Sequence, residues 1–421
     1  MEASKYHLLG ADLGLLGLAG DKGRASHGRW ADGSGRAESG PREGAEEAGV
    51  HGGLSGDTGQ HAAAEDQLAP FVVLSTVFPS WILSQHVPAS TFVAHSERNS
   101  TRLLTARVNW ELGIAIVNAL VPEDFHTDNL KCTVSVLTYP SQTLSLPPHV
   151  SPYAVEHKTS DFTPKSLQDA LAGYDIAICT MAGGDFELQV RIVDALLAAG
   201  VRKFIPHEFG HNTLNPGIRA RIPKYAGRAK VLEHLQHNIS KAAPEFDWIG
   251  VATGYTLDKS LISGDMGFDM QWHSATIHGT GDEPFAVSSL ERVGQVVRSV
   301  CQHWDEIKCH YIYAAGVVTS ANEVLVAAEH ATDRKWTVGN YDVQDSIKEG
   351  MARIERGFPD AGMALLERSI LYDERLNASA PFKATNANGL LNCTPEFVDT
   401  IVETAYHDLT HHGKPGCGCS S

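Results

Sequence analysis

From residue 102 onward the apolar positions fall into alternating strand-like and helix-like periods. RLLTARV (102–108) reads as a strand, and ELGIAIVNALV (111–121) carries apolar residues at helical spacing until Pro122 and Asp124 stop it. CTVSVLT (132–138) alternates and is rich in β-branched residues, and Pro140 and Ser141 break it. SLQDALAG (166–173) reads as a short helix, YDIAICTMAG (174–183) as a buried strand, and FELQVRIVDALLAAG (186–200) as an amphipathic helix with a glycine stop. RKFIPHEF (202–209) is a strand, 224–239 a helix and FDWIGVAT (246–253) a strand. Strands that alternate with helices require parallel pairing with right-handed crossovers, so the class is α/β with a doubly wound parallel sheet. Ligands of such sheets bind at the carboxyl ends of the strands, near the switch in strand order.

Beyond residue 255 the pattern loosens. A polar, glycine-containing stretch (264–284) precedes a helix (289–304), a strand (310–317), a helix leading to a strand (320–338) and helices near 342–356, 361–370 and 395–410. This organisation predicts a sheet domain at 101–260, a smaller C-terminal substrate lobe at 261–412 interleaved with the end of the sheet, and a flexible tail at 413–421. The first hundred residues differ. Fifteen of the 39 glycines fall within 1–60, and Gly20 to Gly59 holds almost no large apolar side chains. Such a stretch cannot bury enough surface to offset its ordering entropy, so 1–100 reads as a disordered N-terminal extension. LAPFVVLSTVFPSWIL (68–83) is apolar but interrupted by Pro70 and Pro79, and shorter than the about 20 residues a spanning helix needs. It reads as a loosely packed arm. KYHLLGADLGLLG (5–17) has spaced glycines after a strand-like run, but no amphipathic helix follows it, as a dinucleotide loop requires.

The 421 residues carry 34 basic and 50 acidic side chains, a net charge of −16. That balance excludes a general nucleic-acid binder, which needs a basic footprint, and disfavours anionic membrane surfaces. Seven cysteines, odd in number and scattered, point to a reduced, cytoplasmic setting. His407, His411, His412, Cys417 and Cys419 cluster near the end, but their spacing fits no closed zinc pattern and no metal is expected.

AGVRKFIPHEFGHN (199–212) resembles the A-G-V-K-R-F-[IL]-P-S-E-F-G segment of NmrA-like and isoflavone-reductase-like proteins. LGIAIVNAL (112–120), DFTPKSLQDALAGYDIAICTMAG (161–183), VATGYTLD (251–258) and IHGTGDEPFAVSSLERVGQVV (277–297) follow in the family's order and spacing. The likeness covers about 102–410 and is nearest the fungal branch. It implies a Rossmann-type, atypical short-chain dehydrogenase/reductase fold that binds NADP(H), in preference to NAD(H). Some members reduce aromatic, phenylpropanoid-type substrates; others are non-catalytic sensors of cofactor redox state.

Three departures bear on function. In the family's G-x-x-G-x-x-G loop, Gly113 matches the last glycine, but Trp110 and Arg107 stand where the others belong, and Glu111 opposes an anion at the helix start. The run reads as a loop shortened by an altered exon boundary upstream of Leu112. After the second strand, where the family places an arginine for the 2′-phosphate, the chain reads Thr138-Tyr139-Pro140-Ser141. At the position of the family's catalytic lysine stands Arg228, with Lys224 one turn earlier on the same helix face. Arginine stays protonated, so it can stabilise an oxyanion but cannot act as an acid or base. Lys224, Arg228 and Lys230 read equally as a solvated face.

The resemblance thus implies a cofactor site at Leu112, Gly113, Thr138, Tyr139, Met181, Ala182, Gly183 and Gln189, a catalytic pair Arg228 and Lys224, and a substrate wall of His207, Phe209, Gly254 and Tyr255. His207, in place of the family's serine, reads either as a polar contact for substrate or as a satisfied loop histidine. The expected activity is reduction of an aromatic or conjugated carbonyl small molecule. The alternatives are an NADP-sensing regulator and a degenerate paralogue with impaired cofactor binding. Substrate identity and oligomeric state are not legible.

Overall fold

Strand β1 (Phe71–Leu74) stands in the middle of the main sheet, paired in parallel with β3 (Cys132–Thr138) on one side and β5 (Ile176–Cys179) on the other. The computed structural model describes residues 71–74, 101–103, 110–121, 132–146, 150–151, 153–181 and 185–411. β2 (Thr101–Leu103) pairs with the first residues of β3, and β4 (Val155–Thr159) with the rest of it. β6 (Lys203–Ile205), β7 (Asp247–Ala252) and β12 (His310–Tyr313) continue the sheet beyond β5. The order is therefore β4-β3-β1-β5-β6-β7-β12, with β2 beside the start of β3, all parallel, and the switch in strand order lies between β1 and β5.

The sheet is doubly wound because its inner strands, such as β5, are apolar on both faces. Ile176 and Ile178 of β5 pack with Leu112, Ile116 and Val117 of α1 (Trp110–Leu120) and with Val293 and Val297 on a later helix. The alternate residues, Ala177 and Cys179, pack on the other face against α2 (Pro164–Leu171) and α3 (Phe186–Ala199). This is the period of two that a pleated strand imposes. α3 starts where the Asp185 carboxylate accepts from the Leu188 N–H, and stops at Gly200, whose left-handed backbone closes the last turn. α4 (Pro216–Arg221) and α5 (Pro223–His234) follow β6; α5 runs through a π-turn at Leu235–Ile239 into the short α6 (Ser240–Ala242).

After β7 the chain turns at Gly254 (φ 76°) into β8 (Tyr255–Thr256) and α7 (Leu257–Ser263). A side chain at Gly254 would run into the Ala286 carbonyl, so the turn demands glycine twice over, for conformation and for space. β8 joins β11 (Phe285–Ser288) and β13 (Val317–Thr319) in one three-stranded sheet. β9 (Phe268–Asp269) and β10 (Ser274–His278) form another with β14 (Thr337–Tyr341). The stretch 264–284, read from the sequence as irregular, therefore contains two strands. α8 (Leu290–Gln302), α9 (Trp304–Ile307) and α10 (Ala321–Thr332) alternate with these strands, and α11 (Val343–Glu355), α12 (Pro359–Tyr372), α13 (Ala380–Ala384) and α14 (Val398–His411) complete the C-terminal part. Among the described residues no helix is long and apolar enough to cross a membrane.

Two expectations change. The central strand comes from Phe71–Leu74, inside the stretch read as an arm, while the predicted strand 102–108 is described only as Thr101–Leu103. The remainder of 1–100, with its expected disorder, the loop position Arg107, and the tail with His412, Cys417 and Cys419 lie outside the described residues.

Candidate active site

The carboxyl end of β6 and the inward faces of α3 and α5 meet around a small cleft, lined by Gln189, Pro206, His207, Glu208, Gly227, Arg228 and Val231. Each side chain arrives from a different constraint. Gln189 lies one turn into α3, and its Oε1 accepts from the buried Cys179 Sγ at 3.5 Å. His207 and Glu208 follow β6 as the chain leaves the sheet; both are buried. Arg228 lies on the inward face of α5, in its second turn, 7% exposed.

The polar groups here are left wanting. The Nε and Nη1 of Arg228, Nδ1 of His207 and Oε2 of Glu208 are buried and bond to nothing. Buried polar groups are normally paired with protein or ordered water, so four orphan atoms on one cleft make it the candidate site. The Arg228 guanidinium sits over the Tyr225 ring at 4.9 Å, which supports its charge without using its N–H donors. Burial pushes the Glu208 carboxyl up to about 7, against the opposing pull of Arg228 and of the Thr213 and Tyr311 hydroxyls. Burial, then the charges of Arg228 and Lys224, hold His207 well below the usual imidazole range.

An aromatic wall adjoins the cleft. His211 stacks on Tyr255 with centroids 5.4 Å apart and lies 5.9 Å from Tyr225. Its backbone N–H donates to the Tyr225 hydroxyl at 3.2 Å. Burial and the charges of Lys224 and Arg228 lower His211 to about 3, so the ring is neutral. The Gly254 N–H donates to the Gly210 carbonyl at 2.9 Å, which ties the turn that carries Tyr255 to the loop that carries His211. Phe209 is half-buried, edge-on to His207 at 6.0 Å.

Of the expected residues, the structure gathers Gln189, His207, Arg228, Phe209, Gly254 and Tyr255 about this cleft and wall. Lys224 is one turn from Arg228, but its Nζ is held by Glu367 of α12 at 2.6 Å. Leu112, Gly113 and Met181 are buried near the start of α1 and the end of β5, where the Thr180 hydroxyl faces Gly113. Thr138 is fully buried and its Oγ1 already meets His157 Nε2 at 2.7 Å and the Tyr139 carbonyl at 3.1 Å. Tyr139 leans on Phe162, centroids 4.5 Å apart. Ala182, Gly183 and Gly184 lie outside the described residues. Sequence reasoning passed over Glu208, His211 and Glu367. An acid at the end of an apolar strand was the available signal for Glu208.

A parallel sheet wound in this order, with its unpaired polar groups gathered at the carboxyl edge, defines a Rossmann-type fold. The chain belongs to the NmrA-like family, whose family model matches residues 153–388. It is 30% identical over 307 residues to oxidoreductase poxI of Penicillium oxalicum, covering 72% of this chain and 92% of that one. Over 303 residues it is 26% identical to oxidoreductase aprR of Aspergillus flavus, covering 72% and 97%. Its fold is similar to a solved isoflavone reductase (TM-score 0.54, 17% identity, covering 73% of this chain and 99% of that one). It is also similar to AtPrR2, solved with NADP+ and (+)pinoresinol (TM-score 0.56, 16% identity, 73% and 100%). A third similar structure is the leucoanthocyanidin reductase–NADPH complex of Vitis vinifera (TM-score 0.53, 13% identity, 72% and 99%).

Proposed function

We propose that the protein is an NADP(H)-dependent reductase of an aromatic or conjugated carbonyl compound. The observation that carries this reading is Arg228: a buried cation with two unpaired N–H donors, facing a cleft at the carboxyl edge of the sheet. Such donors suit an oxygen that gains negative charge as its carbonyl is reduced, and they gain strength where water is excluded. The ring wall of His211, Tyr255, Tyr225 and Phe209 suits an aromatic partner. The neighbours solved with NADP+ and pinoresinol, or with NADPH, support the same cofactor and substrate classes.

The residues fit the cofactor unevenly. Gln189, Met181 and the cleft would hold its nicotinamide end; Leu112 and Gly113, at the start of α1, would meet its pyrophosphate. Tyr139 would meet its adenosine end, and Thr138 would set the strand end behind it. A cation does reach that end: Arg191 of α3 acts on the Tyr139 hydroxyl, which burial and the charges of Asp185 and Asp161 raise. Arg191 also donates to the Phe162 carbonyl at 3.5 Å. It supplies from α3 the charge that the family places after the second strand, and it favours NADP over NAD. When bound, the cofactor supplies the hydride. The chain's own residues orient the carbonyl between the ring wall and Arg228, and Lys224, anchored to Glu367, adds positive potential.

Fluorescence titration with NADPH and NADH, followed by turnover with a panel of aromatic aldehydes and ketones, tests the reading. Saturable NADPH binding with turnover is expected. Binding without turnover leaves the regulator; no binding leaves the degenerate paralogue.

A further inference from the structure

We propose that Glu208 is the proton donor of the reduction, delivering the proton of its carboxyl group to the substrate oxygen that Arg228 holds. The inference rests on the reductase reading and extends it to a residue given no role above. Reduction of a carbonyl needs a hydride at carbon and a proton at oxygen. The carbonyl carbon takes the hydride of the reduced nicotinamide; the π electron pair moves to oxygen and forms the O–H bond with the proton from Glu208. The products are an alcohol, the oxidised nicotinamide and a Glu208 carboxylate, which regains a proton from solvent after the alcohol leaves.

The geometry favours Glu208 by elimination as well as by position. Arg228, where a lysine would serve, cannot give up a proton near neutral pH. Burial lowers Lys224, but Glu367 of α12 opposes that shift and holds its Nζ at 2.6 Å. Burial raises the Cys179 thiol to about 11 and the Tyr225 hydroxyl to about 12, and it keeps the His207 ring neutral. Glu208 alone among the described ionisable groups of the cleft combines a free, buried oxygen with a proton that leaves near neutral pH. The groups facing it from other elements are Arg228 and Tyr225 of α5, Thr213 of the loop before α4, and Tyr311 of β12. The Tyr311 hydroxyl accepts the Thr213 backbone N–H at 3.0 Å, which ties the loop before α4 to β12. Arg228 then does two things: it draws the substrate oxygen into the cleft, and it stabilises the carboxylate left behind.

The test is the pH dependence of NADPH oxidation with a responsive carbonyl substrate, in the wild-type protein and in Glu208→Gln, Glu208→Asp and Lys224→Met. In the wild type, kcat should fall as pH rises through about 7, because the acid form is the donor. Glu208→Gln should lower kcat on the order of a hundredfold or more, with KM and NADPH binding far less changed, and should abolish that pH limb. Glu208→Asp should restore part of the rate and the limb. Thermal melting of each variant separates loss of fold from loss of the acid, and the wild-type limb with a solvent deuterium isotope effect on kcat reads the donor without any variant. Wild-type activity without that limb, or a Glu208→Gln enzyme as fast as wild type, overturns the proposal while the reductase reading stands. So does loss of the limb in Lys224→Met alone, which would make Lys224 the donor. A wild type that oxidises no NADPH with any carbonyl removes the reductase reading itself, and the proposal with it.

Discussion

The two ends of the same carboxyl edge are built differently. At the β6–α5 end, Arg228, His207 and Glu208 are buried and short of partners, and Gly254 is pressed so tightly against β11 that no side chain fits. At the α1 end, the Gly113 position has room: a Cβ would touch only the Thr180 hydroxyl, at 3.8 Å. There Glu111, exposed, places a negative charge in the first turn, with Lys259 of α7 4.0 Å away. A helix start that receives phosphate is more favourable with glycines and without an acid. The difference teaches that the proposed chemical end is tightly packed while the Gly113 position, at the proposed phosphate end, has room, so catalysis and cofactor affinity should respond to substitution independently.

The largest effect should come from the tight end. Arg228→Ala should cut turnover about 10²–10³-fold, the usual cost of removing a donor from a developing oxyanion. The cofactor Kd should move much less, and kcat with NADPH titration reads the two apart. A cofactor Kd that rises as much as kcat falls would put Arg228 on the cofactor instead. Next, Gly254→Ala should cost about 2–5 kcal/mol in urea unfolding, combining a left-handed backbone with a collision at the Ala286 carbonyl. A variant within error of wild type would mean that β8 and β11 can part freely.

How far the sequence reveals these two ends follows from what each depends on. β3 emerges with its observed bounds, Cys132–Thr138, and α3 within a residue of its end, because local periodicity and a glycine stop decide them. β1 does not, because FVVL lies between Pro70 and Pro79 beyond a glycine-rich stretch, and it becomes a strand through its partners β3 and β5, distant in sequence. β4 hides for another reason: VEHKT is mostly exposed and polar on the outer side of β3, and shows no apolar alternation. In the site, Arg228 is legible through motif alignment. Glu208 shows only as an acid at the end of an apolar strand and His211 not at all, since an acid and a histidine in a loop look solvated until the fold buries them.

Burial at the tight end also sets opposing pH dependences. His211, at about 3 against an ordinary 6.5, binds its proton in the unfolded chain first, so its contribution is present above about pH 6.5 and is lost as pH falls toward 3. Glu208, at about 7 against 4.5, does the reverse: its contribution is full below about pH 4.5 and is lost as pH rises through 7. His211→Phe, which keeps a ring against Tyr255, should therefore raise the melting temperature relative to wild type more at pH 5 than at pH 7.5. Equal shifts at both pH values would mean that the imidazole is not held neutral.

The smallest effect on stability should come from the loose end. Gly113→Ala places a methyl group at ordinary contact distance from Thr180, within α1, where alanine is favoured over glycine by up to about 1 kcal/mol. Stability should therefore change by less than about 1 kcal/mol, and in the favourable direction. Cofactor affinity should nevertheless weaken, because the added methyl stands at the helix start proposed to receive the pyrophosphate. Urea unfolding and NADPH titration of this one variant read the two quantities separately. A large stability loss would show that the start of α1 is packed as tightly as Gly254. Unchanged affinity would show that the pyrophosphate is held by other parts of the edge.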